Sequence, residues 1–127
     1  MTTPTDATRD TVRAYHHARF RGDAPAAART LAETFRFRSP LTASDDADGH
    51  LAGLDMFVSI VERVDLISEL YAEDRATLVY DVHTTIPTVG VQHTAEHFRL
   101  SEARITDIHL IFDAGPWHAV MRAIPQP

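Results

Sequence analysis

The first part of the chain carries hydrophobic residues at helical spacing. Thr3, Pro4 and Asp6 form a helix-start signature, in which threonine caps the first turn, proline is tolerated at the first helical position and an acid completes a capping box. The pattern predicts a first helix that runs to about Arg21 and ends at Gly22. Its buried face is marked by three residues, Val12, Tyr15 and Ala18.

Shorter elements are predicted between residues 23 and 64. Asp23 caps a second helix that extends over 23–34. Apolar and polar residues then alternate over 35–39, which predicts a short strand. A polar loop follows over 42–50, and apolar positions at helical spacing predict a third helix over 54–64.

From residue 65 onward the apolar period changes to two, which indicates β-strands. Four strands are predicted, at 66–73, 76–86, 91–100 and 105–112, followed by a tail that carries Trp117. Helices come first and strands last, so the order predicts an α+β fold with an antiparallel meander. We expect the curved antiparallel sheet to wrap around the three helices as a cone-shaped roll, in a single domain over 1–127.

Composition excludes several classes of function. The chain has no cysteine and no lysine, which excludes disulfides, a cysteine nucleophile and Schiff-base chemistry through lysine. A net charge of −6 without a basic run predicts no binding to nucleic acid or to an anionic membrane. No apolar run approaches the roughly 20 residues of a membrane span, and the N-terminus lacks the pattern of a secretory signal, so we expect a cytoplasmic location. No nucleotide or cofactor motif is present, so we expect no cofactor.

Four segments resemble the nuclear transport factor 2-like superfamily, and within it the SnoaL-like and ketosteroid-isomerase-like small proteins. They are the Arg21-Gly22-Asp23 helix end, the FxFxSP strand over 35–40, the GLDMF segment from Gly53, and AEHFRLSEARITDIHLIFD over 95–113. The resemblance covers roughly residues 8–118 and implies one small-molecule pocket inside the cone. The superfamily includes isomerases, epoxide hydrolases, polyketide cyclases and dehydratases, as well as non-catalytic binding and assembly domains.

The sequence departs from the catalytic members at informative positions. Ser39 stands where ketosteroid isomerases carry an aspartate base before a proline. Glu96, Thr94 and Leu110 match the positions where limonene-epoxide-hydrolase-like members carry two carboxylates and an arginine, so only one of those three groups is kept.

The hairpin around residues 87–90 predicts a catalytic cluster. If Ile86 pairs with Val91, then Asp81 lies opposite Glu96 and His83 lies on the same face. The resemblance implies that the Glu96 face points into the cone. Two carboxylates about 5 Å apart cannot both ionise easily in an apolar site, so one of them would hold a proton and His83 could relay it. The alternative is a slip of one residue, which would place the whole set of Asp81, His83 and Glu96 on the outer face as ordinary solvated groups.

Aromatic residues and one hydroxyl are the candidates for binding a substrate. They are Tyr15, Phe35, Phe37, Ser39, Phe57, Phe98 and Trp117. Each aromatic ring among them is equally typical of the hydrophobic core, and for Tyr15 the core is the favoured interpretation. Trp117 either caps the open end of the cone or anchors the tail.

The histidines do not predict a metal site. On a strand His93 and His97 would lie about 13 Å apart, too far to share an ion, and neighbouring His16 and His17 point about 100° apart on a helix. We expect no metal. His93 and His97 instead fall on the predicted outer face of the sheet with Tyr80, Val82, Thr84 and Ala95, and this face predicts a homodimer.

Two functions therefore stay open. The first is a cofactor-free enzyme that uses acid and base groups in an apolar pocket on a largely apolar metabolite, of the isomerase, cyclase, dehydratase or epoxide hydrolase type. The second is a non-catalytic ligand-binding or assembly module of the same fold. An enzyme requires at least two titratable groups in the pocket, whereas a binding module can do with aromatic walls and hydroxyls.

Overall fold

A computed structural model describes residues 2–124 of the chain. The ends of the predicted domain and the last three residues of the predicted tail lie outside this range. The helices are α1 (Pro4–Phe20), α2 (Ala24–Ala28), α3 (Ala47–Leu51), α4 (Leu54–Ser59) and α5 (Gly115–Ala123). The strands are β1 (Leu31–Arg38), β2 (Ala43–Ser44), β3 (Val61–Tyr71), β4 (Arg75–Thr84), β5 (Val91–Ser101) and β6 (Arg104–Ile111).

Helix α1 begins as its sequence predicts. The Thr3 hydroxyl accepts a hydrogen bond from the Asp6 amide at 3.0 Å, and the Asp6 carboxylate accepts one from the Thr3 amide at 3.3 Å. This reciprocal capping box satisfies two amides that the first turn leaves free. The predicted face of Val12, Tyr15 and Ala18 is buried at 1% exposure or less, so α1 packs into the core along that stripe.

The six strands form one sheet in the order β2-β1-β6-β5-β4-β3. Strands β3 to β6 are the predicted antiparallel meander, and β1 joins it by pairing parallel to β6. The inner face of the sheet carries the buried core residues, which pack against α1. The α+β class and the curved sheet are thus confirmed.

Two predicted helices are shorter than their patterns indicated. Helix α2 ends at Ala28, because the Thr30 hydroxyl bonds to the Ala27 carbonyl at 2.7 Å and the Thr30 carbonyl then accepts from Ile105 of β6 at 2.9 Å. Helix α4 ends at Ser59. Val61 and Val64 pair with β4 instead. The register of β3 shifts between Val61 and Arg63, so these two valines, three residues apart, have the spacing of a helix although they lie in a strand.

The predicted loop over 42–50 contains the start of a further helix. Asp46 caps α3 by accepting from the Gly49 amide at 2.6 Å. The short helix turns His50, which was not among the predicted site residues, towards the inner face of the sheet, where its ring contacts Phe35 and Phe37. This placement builds one wall of the site described next.

Candidate functional site

A cavity of about 280 Å³ lies between α1, the α3–α4 segment, the inner face of the sheet and α5. Its apolar wall consists of Phe37, Leu41, Ala52, Leu54, Phe57, Val82, Leu110, Phe112 and Trp117. Within residues 2–124 the polar side chains that reach it are Arg19, Ser39, Thr42, His50, Tyr80 and Gln92. A mostly apolar cavity with a few converging polar groups is typical of a small-molecule site.

His50 enters the cavity as a neutral imidazole. Its Nε2 atom lies 2.6 Å from the Tyr15 hydroxyl, and its ring stacks on Phe37 with centroids 4.1 Å apart. Burial, assisted by the charge of Arg19, lowers the pKa of His50 to about 3. When the Tyr15 phenol donates to Nε2, the ring proton resides on Nδ1, which makes no hydrogen bond to the described residues. In this tautomer the site offers a neutral N–H donor.

Arg19 supplies the positive charge of the cavity. It lies one turn after Tyr15 on α1, and its guanidinium carbon sits 4.9 Å from the centre of the Phe57 ring and 5.1 Å from that of Phe20. None of the ion pairs within residues 2–124 includes Arg19. Aromatic faces hold the guanidinium in place, and the Glu96 carboxylate and the Tyr80 hydroxyl stabilise its charge from beside the cavity.

Tyr80 and Glu96 form a buried hydrogen-bonded pair beside the cavity. The Tyr80 hydroxyl donates to Glu96 Oε1 at 2.7 Å, whereas Oε2 has no partner among the described residues. Burial raises the pKa of the Glu96 carboxyl, and the Arg19 charge and the Tyr80 hydrogen bond offset this only in part. Glu96 does not line the cavity but Tyr80 does, so the phenol stands between the carboxyl and any bound molecule.

Hydrogen bonds also order the rim of the cavity. Trp117 donates its indole N–H to Gln92 Oε1 at 2.7 Å, and Gln92 donates to the Thr94 hydroxyl at 2.9 Å. Across the cavity, the Ser39 hydroxyl accepts from the amides of Leu41 and Thr42 at 3.1 and 3.0 Å. Ser39 therefore shapes its own loop, and Trp117 closes one side of the cavity.

The predicted register of the β4–β5 hairpin is wrong by three residues. Asp81 pairs with His93, His83 pairs with Val91, and Glu96 lies opposite Leu78. The turn is longer than predicted, because the Thr84 amide bonds to Gly90 O at 2.9 Å and closes the hairpin two residues earlier on β4. An odd shift moves every side chain of one strand to the other face relative to its expected partner.

The predicted catalytic cluster is consequently divided between the two faces. Glu96 is inside the cone, 1% exposed, as expected. Asp81 and His83 lie on the outer face, where Asp81 Oδ1 is 2.7 Å from His93 Nδ1 and His83 Nε2 is 2.8 Å from Asp65 Oδ2. The predicted outer face changes for the same reason: Tyr80 and Val82 are buried inside.

The predicted binding residues divide into cavity and core. Four of them line the cavity: Phe37, Ser39, Phe57 and Trp117. The other three, Tyr15, Phe35 and Phe98, are completely buried in the core. Tyr15 still acts on the site through its hydrogen bond to His50.

Sequence reasoning missed Arg19, His50 and Tyr80. Arg19 could have been found, because it lies four residues after Tyr15 and therefore on the same face of α1. Tyr80 was assigned to the wrong face by the register error. His50 had no signal, because it stands in a run of turn-forming residues.

Within 2–124, no three histidine, aspartate or glutamate side chains converge as metal ligands, and the expectation of no metal stays a prediction. None of the helices in that range combines the length and the apolar character needed to cross a bilayer.

Three solved structures show what the chain is similar to. A Kribbella flavida DSM 17836 protein is 32% identical over 90% of this chain and 93% of its own, with a TM-score of 0.79. An NTF2-like protein of unknown function from Cytophaga hutchinsonii is 21% identical over 87% and 94%, with a TM-score of 0.71. A second Kribbella flavida DSM 17836 protein, a candidate ketosteroid isomerase, is 13% identical over 100% and 87%, with a TM-score of 0.76.

These comparisons differ in what they establish. No protein-family model matches the sequence, and no curated protein matches it. The two more distant structures share the fold, whereas the first is similar enough in sequence and coverage to be a relative. The chain therefore shares a family with the first Kribbella flavida protein, and its fold is that of NTF2-like proteins, as the resemblance in its sequence predicted.

Proposed function

We propose that the chain is a cofactor-free enzyme that transfers a proton on a small, largely apolar molecule carrying a carbonyl group. The observation that carries this proposal is the Tyr80–Glu96 pair, whose 2.7 Å hydrogen bond connects the cavity to a buried carboxyl group. The apolar walls favour a hydrocarbon body, and the volume of about 280 Å³ is at the lower end of the range for ligand pockets.

The proton would move through the phenol. As a C–H bond next to the carbonyl breaks, its proton passes to the Tyr80 oxygen while the Tyr80 proton passes to Glu96 Oε1. The electrons of the C–H bond form an enolate, and in a substrate with a C=C bond next to that carbon, return of the proton to the far end of the resulting dienolate moves the double bond and gives the isomer. Since burial raises the pKa of Glu96, its carboxylate is a stronger base than a solvated one.

His50 would bind the carbonyl oxygen. A neutral imidazole with its proton on Nδ1 donates a hydrogen bond that strengthens as negative charge develops on that oxygen. The low pKa of His50, about 3, keeps the ring neutral at physiological pH. Tyr15 fixes the ring orientation from behind through the 2.6 Å contact.

The second candidate is a binding module without turnover. It is favoured by one observation: no carboxylate among the described residues lines the cavity directly, and Ser39 occupies the place of the expected acid. A homodimer through the outer face of the sheet and a cytoplasmic location belong to both proposals. Sedimentation at tens of micromolar protein tests the dimer, and a monomer there contradicts it.

Hydrogen–deuterium exchange separates the two candidates. In deuterated buffer, the wild-type chain should accelerate the exchange of the α-hydrogens of 4-phenylbutan-2-one, followed by proton NMR. Tyr80→Phe should abolish the acceleration, and Tyr71→Phe is the matched control because its hydroxyl donates to Glu69 outside the cavity. Saturable binding of the ketone without accelerated exchange would favour the binding module.

A further inference from the structure

We infer that the molecule held in this cavity carries one carboxylate, which pairs with Arg19. This inference rests on the proposed function only in placing the ligand in the same cavity, and it holds equally for an enzyme or a binding module. It assigns to Arg19 a role in selecting the class of ligand: a small monoanionic acid with a largely apolar body.

The guanidinium of Arg19 has no counter-ion in an ion pair with it among the described residues. Arg19 lines a mostly apolar cavity, and no carboxylate within residues 2–124 lies within ion-pairing distance of its guanidinium. Six arginine–carboxylate ion pairs form elsewhere among the described residues, and five of the twelve arginines take part in them. Arg19 is half-buried, and a charge partly removed from water is normally paired, so a guanidinium without an ion pair in a cavity points to an anion that arrives with the ligand.

The guanidinium of Arg19 packs against two aromatic rings. Phe20 and Phe57 hold it at 5.1 and 4.9 Å from their ring centres, and those faces contribute no hydrogen-bond acceptor of their own. A planar guanidinium held in this way presents its N–H groups in a fixed fork, which matches the two oxygens of a carboxylate. Ordering such a long side chain in advance lowers the entropy lost when the ligand binds.

The buried acid Glu96 lies beside the cavity and interacts with the charge of Arg19. Glu96 is the carboxylate that acts on Arg19 electrostatically, but Tyr80 takes up its Oε1 atom and separates it from the cavity. Glu96 Oε2 has no hydrogen-bond partner among the described residues, yet none of the ion pairs there joins Glu96 to the guanidinium. The cavity admits one such anion, because Arg19 is the only arginine in its lining within residues 2–124.

An acid and amide pair of the same shape provides the test. The probes are 3-phenylpropanoate and 3-phenylpropanamide, which differ in charge and hardly in size. Trp117 is the single tryptophan of the chain and lines the cavity, so its fluorescence reports occupancy directly. We expect the wild-type chain to bind the acid at least tenfold more tightly than the amide.

Substitutions then assign the preference to one side chain. Arg19→Met should reduce the ratio of acid to amide affinity to about one, whereas Arg19→Lys should keep part of it. Arg38→Met is the matched control, because it removes the same charge from the outer face of the neighbouring strand β1, and it should keep the full ratio. Thermal unfolding verifies that each variant is folded.

The outcomes distinguish this inference from the proposed function. An amide that binds as tightly as the acid, or a preference that survives in Arg19→Met, overturns the carboxylate and leaves proton transfer intact. Acid binding with the expected ratio but without proton exchange on the ketone supports the carboxylate and overturns the enzyme. Binding of neither probe at millimolar concentration contradicts both, because it removes the cavity as a ligand site.

Discussion

Replacing Tyr80 with phenylalanine is expected to destabilise the fold through a single lost hydrogen bond. The variant keeps the ring, which is 1% exposed and contacts His16 and Phe20 edge-on. It removes the hydroxyl that donates to Glu96 Oε1. Since Glu96 Oε2 already lacks a partner among the described residues, the carboxyl is left with none in that part of the chain.

The magnitude follows from burial. Hydrogen bonds to charged groups contribute about 1.5–3 kcal/mol to stability. A buried acceptor that is left without a donor destabilises the fold by the full free energy of its desolvation. We therefore expect Tyr80→Phe to lower the free energy of unfolding by about 2–3 kcal/mol at pH 8. For a chain of this size the midpoint of urea unfolding should move by roughly 1 M.

Tyr71→Phe is the matched comparison. Its hydroxyl donates to Glu69 Oε1 at 2.8 Å, almost the same length as the Tyr80 bond, but Glu69 is nearly a third exposed. Water replaces the lost donor there, so the cost should stay within about 0.5–1 kcal/mol. Equal losses for the two variants, or no loss for Tyr80→Phe, would refute the assignment of a buried, functionally connected pair.

Three further predictions concern pH and the last hairpin. Because burial raises the folded-state pKa of Glu96 above its unfolded value, the folded chain binds that proton more tightly than the unfolded chain. The stability of the wild type relative to Glu96→Gln should therefore fall as pH rises above about 4.5 through the folded pKa. A difference in urea unfolding that does not change with pH would contradict this. The pKa of His50 is lowered to about 3, so wild-type stability should fall as pH drops from about 6.5 towards 3, and His50→Gln should fall less steeply. Ala103 has a φ of 60°, so Ala103→Gly should stabilise by roughly 1 kcal/mol in thermal unfolding, whereas Ser101→Gly in the adjoining strand should destabilise.

The element order was predictable because it depends on local patterns. The capping box at Thr3 and Asp6 and the alternation in β4 and β5 are encoded within a few residues, so they survive without tertiary information. The second and third predicted helices failed at their ends, where pairing with β6 and β4 overrides helical spacing. Tertiary pairing of this kind is not visible in local propensity.

The site was harder to predict, because it depends on register and on one short helix. A turn that closes at Thr84 instead of Ile86 exchanged the faces of Asp81 and Tyr80, which replaced the expected cluster by the Tyr80–Glu96 pair. Glu96 itself was placed correctly, through its resemblance to the superfamily pattern. His50 reaches the cavity only because Asp46 nucleates α3 inside a segment that reads as a loop.

A crystal structure of the chain with 3-phenylpropanoate tests the central claim most directly. The account predicts the phenyl ring between the apolar walls of the cavity and the carboxylate about 2.8 Å from the guanidinium of Arg19. The carboxylate should lie on the same side of the cavity as Tyr80 and His50. A ligand seated instead in the outer-face groove formed by Arg36, Arg38 and Arg99, with the inner cavity unoccupied, would contradict the account.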